Sequence, residues 1–255
     1  MAAVRPPLPP LNFGLLWPTT LDVVKRHAEL LLPVALAFLF LPQLIFSWRV
    51  GDALPVDLFS GDRLIGDLLA FGLLLILSLI GQLVISFIAA RDGTAGMTLG
   101  ELLQRSRLLL VPALAATMMQ GLAVGFGLLL LILPGLWLLS RLVLVIPLVA
   151  TDVPDPVAAV KTSWRMTDGH SMKILGMLAI LILGFLMLSI GINAIGAAVG
   201  VISTVAAGQP ADGWGIGRWL FEAVAAFASA FIGILYLCFV ATLYRALGSL
   251  SGAGR

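Results

Sequence analysis

The sequence predicts an all-α polytopic membrane protein, a bundle of about six transmembrane helices. The chain of 255 residues is 60% hydrophobic and only 11% charged, with a mean hydropathy of +1.10. An ordinary soluble domain carries about 25% charged residues. Uncharged apolar runs recur along the chain, and most of the basic residues lie at their ends. Lipid must therefore be the solvent for most of the protein surface.

Six apolar runs are predicted to span the membrane, because each supplies about 20 apolar residues. The segment 1–18 is Pro-rich, and the first apolar run ends in Trp48-Arg49 without a signal-peptide cleavage pattern, so this run is expected to stay as an anchor. The turn between the third and fourth spans is expected at Gly125–Gly127 rather than at Pro134-Gly135, with Pro134 kinking the fourth helix. The predicted spans are 28–48, 68–90, two within 108–151, 174–203 and 219–244.

The distribution of Lys and Arg predicts the orientation, because cytoplasmic loops carry more of both residues. One set of loops and tails holds Arg5, Lys25, Arg26, Arg91, Arg105, Arg107, Lys161, Arg165, Lys173, Arg245 and Arg255. The opposite set holds only Arg49, Arg63 and Arg218. Both termini are therefore expected in the cytoplasm.

Three segments on the predicted cytoplasmic side are alike, each a short amphipathic helix before a span. Their starts are a Thr98–Glu101 capping box, a weaker Thr19–Asp22 box, and Asp155 followed by Pro156. Each has an apolar face and ends in basic residues, as interfacial helices do. The chain is thus predicted to be one membrane domain, 1–255, with three repeats of an interfacial helix and a hairpin of two spans. The repeats cover about 19–90, 98–151 and 155–245.

A further pattern covers the fourth predicted span and the segment after it. A Leu-rich run ends in Pro134-Gly135, Ser140-Arg141 follows, and the Ala-rich segment 158–164 ends in Ser163-Trp164. Over 98–190 this resembles the membrane domain of the glycerophosphoryl diester phosphodiesterases and the related YciC-like bacterial inner-membrane proteins. The resemblance implies a location in a bacterial inner membrane. In the phosphodiesterases this region accompanies a separate catalytic barrel, which this sequence lacks, so no activity is carried over.

Arg141 is the sharpest candidate for a functional residue, because an ionisable group inside a span is costly and normally faces a partner or a watery cavity. One interpretation is that it snorkels inward or pairs structurally, with Glu222 or Asp152 as candidate partners. The other is that it binds an anionic headgroup or substrate within the membrane. The basic residues of the interfacial segments are further candidates for binding lipid: Arg26, Arg105, Arg107, Lys161 and Arg165. Anionic phospholipid of the cytoplasmic leaflet is the partner that these residues imply.

Small residues at a spacing of four mark candidate helix contacts. Gly121 with Gly125 and Gly196 with Gly200 would let helix backbones approach closely, either within the chain or between two copies in a homo-oligomer. Pro134 and Gly135 are assigned to helix packing as well.

Other function classes lack support in the sequence. No basic stripe for nucleic acid is present, no metal site or cofactor is predicted from two distant histidines, and no catalytic motif occurs. We therefore expect a non-catalytic protein that handles or transports a lipid or another amphipathic or anionic ligand. The alternative is a membrane scaffold or accessory subunit without transport activity.

Overall fold

A computed structural model of the chain describes residues 12–50, 64–94, 96–207 and 216–252. Within these ranges every regular element is helical, which confirms the predicted all-α class. The elements are α1 (Phe13–Arg26), α2 (Ala28–Ala35), a π-helical segment (Leu36–Phe40), α3 (Leu41–Val50), α4 (Leu64–Arg91), α5 (Leu99–Leu108), α6 (Leu110–Leu130), α7 (Ile132–Leu142), α8 (Val145–Thr151), α9 (Pro156–Met166), α10 (Ser171–Ala207) and α11 (Ile216–Gly252).

Six segments of the described chain are long and apolar enough to cross a bilayer, as the sequence predicted. Their large apolar side chains lie at the protein surface in many places, which suits lipid as the solvent. The segments are Ala28–Ser47, Leu68–Arg91, Leu110–Leu130, Ile132–Thr151, Ser171–Gly196 and Phe221–Ser249.

The first of these segments contains one widened turn. Residues Leu36–Phe40 form a π-helical segment that ends two residues before Pro42. Proline has no N–H for the carbonyl four residues earlier, and its ring would clash with that carbonyl, here that of Phe38. The wider turn lies at the carbonyl where this clash would occur. Opposite it, a Cβ on Gly81 would come within 2.5 Å of the Cβ of Phe38, so α4 packs closely against the turn because residue 81 is glycine.

The turn between α6 and α7 is not where the sequence analysis placed it. The chain stays helical through Gly127, and only Leu131 is extended, with φ −164° and ψ 151°. Pro134 therefore lies in the first turn of α7, where a missing N–H costs no hydrogen bond, and it does not kink the helix. The break in the fourth segment lies instead at Val143–Leu144, between α7 and α8.

The helix starts predicted for the three short helices are confirmed in two cases. Thr98 and Glu101 form a reciprocal capping box at α5, and Asp155 caps α9 by accepting from the N–H of Ala158 at 2.7 Å. The predicted start at Thr19 is wrong, because Asn12 caps α1 and Thr19 lies inside the helix. Its hydroxyl donates to the carbonyl of Leu15 at 2.9 Å instead of capping an N-terminus.

The core lies at the end of the bundle where α4, α8, α11 and α1 meet. The buried face of α1 consists of Leu16, Thr20 and Val23, and the helix packs against α11. In α8 every residue except Ile146 is buried. Protein rather than lipid thus surrounds α8, and this fixes the end of α7, which carries Arg141.

Candidate functional site

Arg141, at the last turn of α7, is enclosed by partners from α7, α9 and the turn after α9. Its Nη1 donates to the Asp168 carboxylate at 2.9 Å, and its guanidinium lies 5.2 Å from the ring of Trp137 and 5.3 Å from that of Trp164. The Arg141 side chain is 12% exposed, whereas that of Asp168 is 75% exposed. We call these four residues the Arg141 corner. The predicted partners, Glu222 or Asp152, are wrong, because the carboxylate at Arg141 is that of Asp168.

Backbone contacts hold the Arg141 corner together. The hydroxyl of Ser163 donates to the carbonyl of Arg141 at 2.8 Å, and that of Thr167 donates to the same carbonyl at 3.3 Å. The hydrogen bond from Arg141, its charge and a backbone hydrogen bond from Gly169 hold the pKa of Asp168 below its ordinary value of 3.8. Asp168 therefore stays ionised at neutral pH, and the charge of Arg141 is matched within the chain.

The other basic candidates lie at separate places. Arg26 pairs with Asp92 at 3.1 Å, Arg105 donates to the carbonyl of Thr151 at 3.3 Å, and Arg165 contacts the hydroxyl of Thr162 at 3.5 Å. The structure therefore does not bring these candidates together in one site. Arg107 and Lys161 are exposed and have no partner within the described ranges. Among the basic residues predicted to bind lipid, these two therefore have charged groups free for a ligand.

A second cluster of charges ties α1 and α11 to the loop after α4. Asp92 accepts from Arg26 and Arg245, and its carboxylate lies 3.1 Å from the imidazole of His27. Burial acts to raise the pKa of Asp92, but the hydrogen bond to His27 and the charges of Arg245, Arg26 and His27 outweigh it. The pKa therefore lies below its ordinary value of 3.8. Nearby, Asp152 accepts from Arg91 at 2.7 Å and from the hydroxyl of Tyr244. The carboxylates of Asp92 and Asp152 thus pair with cations of the same chain.

The feature best suited to bind a ligand is a groove between α3, α4 and α6, which sequence reasoning missed. It encloses about 280 Å³ and is lined mainly by apolar side chains, with four polar ones. The polar lining residues are Gln43, Ser78, Gln82 and Thr117; the apolar ones are Leu39, Pro42, Phe46, Phe71, Leu74, Leu75 and Leu79. We call this feature the lateral groove, because its lining includes exposed side chains of the outer helix faces.

Two amide side chains of the lateral groove lack hydrogen-bond partners. Among the described residues, neither Gln43 nor Gln82 makes a hydrogen bond, although Thr117 donates to the carbonyl of Ala113 at 2.8 Å. Gln82 lies nine residues before Arg91, which places it about 14 Å along α4 from that helix end. At this depth water is scarce, and an unsatisfied amide costs free energy.

The sequence contains a weak signal for this groove, because two amide side chains lie within apolar spans. Gln43 and Gln82 are uncharged polar residues within apolar spans, whereas attention falls first on the arginines. Only packing shows that residues 39 positions apart in the chain line the same space.

The glycines predicted for helix packing divide into two groups. A Cβ on Gly127 would come within 2.9 Å of the Cα of Gly135, so Gly135 does allow a close backbone approach. Gly196 faces the ring of Phe221, with no room for a side chain. By contrast, a Cβ on Gly121 or Gly125 would meet nothing within 4 Å, so this pair faces the surface of α6. The side-chain surroundings of Gly200 lie outside the described part of the structure.

The fold and these sites define the class of the chain as a multi-pass integral membrane protein. Among the residues the structure describes, no group of three His, Cys, Asp or Glu side chains is placed to hold a metal ion. No family model matches the chain, and no match was found among curated proteins or solved structures. Its function must therefore be argued from its own residues.

Proposed function

We propose that this protein binds a lipid, or another amphipathic molecule, in the lateral groove and handles it without chemical conversion. In this proposal the chain lies in a bacterial inner membrane with both termini in the cytoplasm. The helices α1, α5 and α9 lie along the cytoplasmic interface and introduce three helical hairpins. The resemblance of 98–190 to a membrane domain that accompanies a catalytic barrel agrees with a non-catalytic role.

The observation that carries the proposal is the pair of unpartnered amides in an open apolar groove. Gln43 and Gln82 together offer donors and acceptors to a polar group, and the surrounding Phe and Leu side chains accept hydrocarbon. The volume of about 280 Å³ lies near the lower end of ligand pockets, roughly 300–1,000 Å³. The groove therefore holds part of a lipid, with the remainder in the bilayer.

The chemistry of the lining selects a neutral polar group. Its polar side chains are two amides and two hydroxyls, and no cation lines the groove. Esters, hydroxyls and amides can accept from and donate to such groups without an unpaired buried charge. The ligand part bound here is therefore an ester or hydroxyl region rather than a phosphate. Anionic headgroups remain the proposed partners of Arg107 and Lys161 at the cytoplasmic surface.

The proposal is tested by the lipid that the protein retains. The double variant Gln43→Leu/Gln82→Leu keeps the size of the side chains and removes the amides. We expect it to lose lipid that co-purifies with the wild type, measured by native mass spectrometry after mild detergent extraction. A photoactivatable phospholipid with its reactive group on the acyl chain should cross-link to α3 and α4 in the wild type and less in the variant.

A matched control is available on α6. Gln120 is another amide without a described partner in an apolar segment, but it does not line the groove. Gln120→Leu should leave the retained lipid and the cross-links unchanged. If the groove variant retains lipid as the wild type does, binding in the groove is wrong. The scaffold function then becomes the better description.

A further inference from the structure

We propose that Arg105 is the centre of a binding site for a phosphate group, at the end of the bundle that faces the cytoplasm in the proposed function. The phosphate belongs to a phospholipid headgroup or to a soluble phosphate compound. In both cases it supplies a negative charge that the described chain does not place beside this arginine. The site is separate from the lateral groove, because Arg105 does not line that groove.

Arg105 is a partly buried cation without a carboxylate partner. The described chain contains three partly buried arginines, and the other two, Arg141 and Arg245, each pair with an aspartate. Among the described residues, the guanidinium of Arg105 makes one hydrogen bond, from Nη2 to the carbonyl of Thr151 at 3.3 Å. Burying a cation costs free energy unless an opposite charge lies beside it. Arg105 is therefore the one of these three arginines whose charge is unmatched.

Two carboxylates lie where they could serve Arg105, but both have other partners. Glu101 lies one helical turn earlier on α5, a spacing at which ion pairs form. Its carboxylate instead accepts from the N–H of Thr98 at 2.7 Å, as part of the capping box. Asp152 directly follows the carbonyl that accepts from Arg105, but its carboxylate pairs with Arg91 at 2.7 Å. The end of α8 thus offers Arg105 only the partial negative charge of a helix C-terminus.

The surroundings of Arg105 orient its guanidinium and leave one edge of it open. The guanidinium carbon lies 5.1 Å from the centre of the Phe87 ring, and Nη2 is held by the carbonyl of Thr151. The Nε atom is buried and has no hydrogen-bond partner. Nη1 has no partner among the described residues either, but it is not buried, so this edge reaches the surface. Nη1 and the second N–H of Nη2 can donate to two oxygens of one phosphate.

An apolar crevice next to Arg105 restricts the direction from which a ligand can approach. Its lining includes Leu83 of α4, Leu102 of α5 and Ala150 of α8. Apart from Arg105, its one polar side chain is Ser106, whose hydroxyl donates to the carbonyl of Leu102 at 2.9 Å. The crevice is too narrow to hold a water molecule, so water does not solvate the guanidinium from this side. A phosphate must therefore approach Nη1 from the surface.

The position of Arg105 in the fold suits a phosphate at the membrane surface. Phe87 lies four residues before Arg91, where the second long apolar segment ends, and the fourth segment ends at Thr151. The third segment begins at Leu110, five residues after Arg105. The contacts of Arg105 with Phe87 and Thr151 thus place its guanidinium where three apolar segments begin or end. This is the boundary at which the phosphates of lipid headgroups lie.

The test is the binding of three probes to delipidated full-length protein in mild detergent. Phosphatidylglycerol and diacylglycerol with the same acyl chains differ in the phosphate-containing headgroup, and native mass spectrometry measures the binding of each. Inorganic phosphate represents a soluble source. Its binding is measured as a rise in the unfolding midpoint, relative to chloride at equal ionic strength.

The variant Arg105→Gln removes the charge. We expect it to bind phosphatidylglycerol at least about tenfold more weakly than the wild type, the loss expected for a charge-assisted hydrogen bond. Binding of diacylglycerol should not change. Arg105→Lys keeps the charge without the planar fork and should show a smaller loss. Arg165→Gln is the matched control, because it removes the same charge from an exposed side chain of α9, and it should bind phosphatidylglycerol as the wild type does.

The loss caused by Arg105→Gln should be the same in the Gln43→Leu/Gln82→Leu background, which separates this site from the lateral groove. An effect of Arg105→Gln on phosphatidylglycerol alone identifies the lipid as the source, and an effect on inorganic phosphate alone identifies a soluble compound. If neither probe distinguishes Arg105→Gln from the wild type, the proposal is wrong. Equal losses in Arg105→Gln and Arg165→Gln would show unspecific attraction between charges and overturn it as well. If Arg105→Gln does not fold, Arg105→Lys compared with Arg165→Gln decides in the same way.

Discussion

The Arg141 corner and the lateral groove are two polar regions in an apolar protein, and they handle polarity in opposite ways. In the corner, the guanidinium of Arg141 has a carboxylate partner and two indole rings. In the groove, the amides of Gln43 and Gln82 have no partner within the described chain. The protein itself thus provides an ionic partner for Arg141, while it provides no hydrogen-bond partner for the two glutamines.

This difference shows which region is available for a ligand. The guanidinium of Arg141 already pairs with Asp168, although its Nε is buried without a hydrogen-bond partner. An anionic headgroup would have to replace Asp168 in order to pair with it. An unpartnered amide gains a hydrogen bond when a ligand arrives. Gln43 is exposed and Gln82 is partly buried, so a desolvation cost in the unbound protein falls on Gln82. In the proposed function, Arg141 therefore has a structural role and the groove has the binding role.

The largest expected effect that sharpens this comparison is on stability. Arg141→Ala removes two cation–π contacts and one ion pair with an exposed carboxylate. Cation–π contacts contribute about 0.5–2 kcal/mol each, whereas an ion pair with an exposed carboxylate adds little in water. We expect a loss of about 2–3 kcal/mol in the free energy of unfolding, measured by denaturation in mild detergent with Trp fluorescence. Lipid retained in the groove should not change.

Asp168→Asn is the matched control for that variant. It removes only the carboxylate charge and leaves both indoles over Arg141, so its effect should be much smaller than that of Arg141→Ala. If Arg141→Ala folds with normal stability and loses bound lipid, the structural role of Arg141 is wrong. Arg141 would then be a ligand-binding residue.

The second expected effect has the opposite sign. Gln82→Leu removes an unsatisfied amide from the groove, and leaving such a group buried costs about 1–3 kcal/mol. Because Gln82 is only partly buried, we expect delipidated Gln82→Leu to gain about 1 kcal/mol at most. The measurement is the unfolding midpoint after exhaustive detergent washing. A loss of stability would mean that the amide has a structural partner, and the groove would lose its main argument.

The smallest expected effect is a pH dependence confined to the charged regions. Asp92 and Asp168 both have pKa values below the ordinary value of 3.8 in the folded protein. A carboxyl whose folded pKa is lowered stabilises the fold above its unfolded pKa, about 3.9, and this contribution is lost as the pH falls through the folded pKa. The unfolding midpoint should therefore drop below about pH 4.

The variants separate the two regions in this pH experiment. Asp92→Asn with Asp168→Asn should lower the midpoint at neutral pH and flatten its fall in acid, because the titrating groups are gone. Gln82→Leu should shift the midpoint without changing its dependence on pH, since amides do not titrate. If the midpoint of the Asp92→Asn/Asp168→Asn variant falls as steeply in acid as that of the wild type, other carboxylates cause the acid transition.

Much of the secondary structure could be read from local sequence. The six long apolar segments follow from composition, and the starts of α5 and α9 follow from Thr98 with Glu101 and from Asp155, because N-capping is a contact within three residues. The start of α1 was misjudged because Thr19 fits a cap equally well, while Asn12 begins the helix seven residues earlier. The α6–α7 turn was misjudged because glycines 125 and 127 signal both a turn and a close helix contact.

The candidate site could be predicted less well than the fold. Sequence alone identified Arg141 as unusual but not its partner, because Asp168 lies 27 residues further along the chain and after another helix. The lateral groove needs side chains of α3, α4 and α6 together, and its volume depends on how these helices pack. No local pattern of residues contains that information.

The sequence by itself determined that this chain belongs in a lipid environment and which segments are long enough to cross it, because hydrophobicity and helix length are summed residue by residue. Only the tertiary structure decided which polar groups are satisfied. Hydrogen bonds and ion pairs at a membrane protein's polar positions depend on distances between helices far apart in the chain. That is why a matched arginine and two unmatched glutamines look alike as polar interruptions of an apolar sequence, and differ only once the helices are packed.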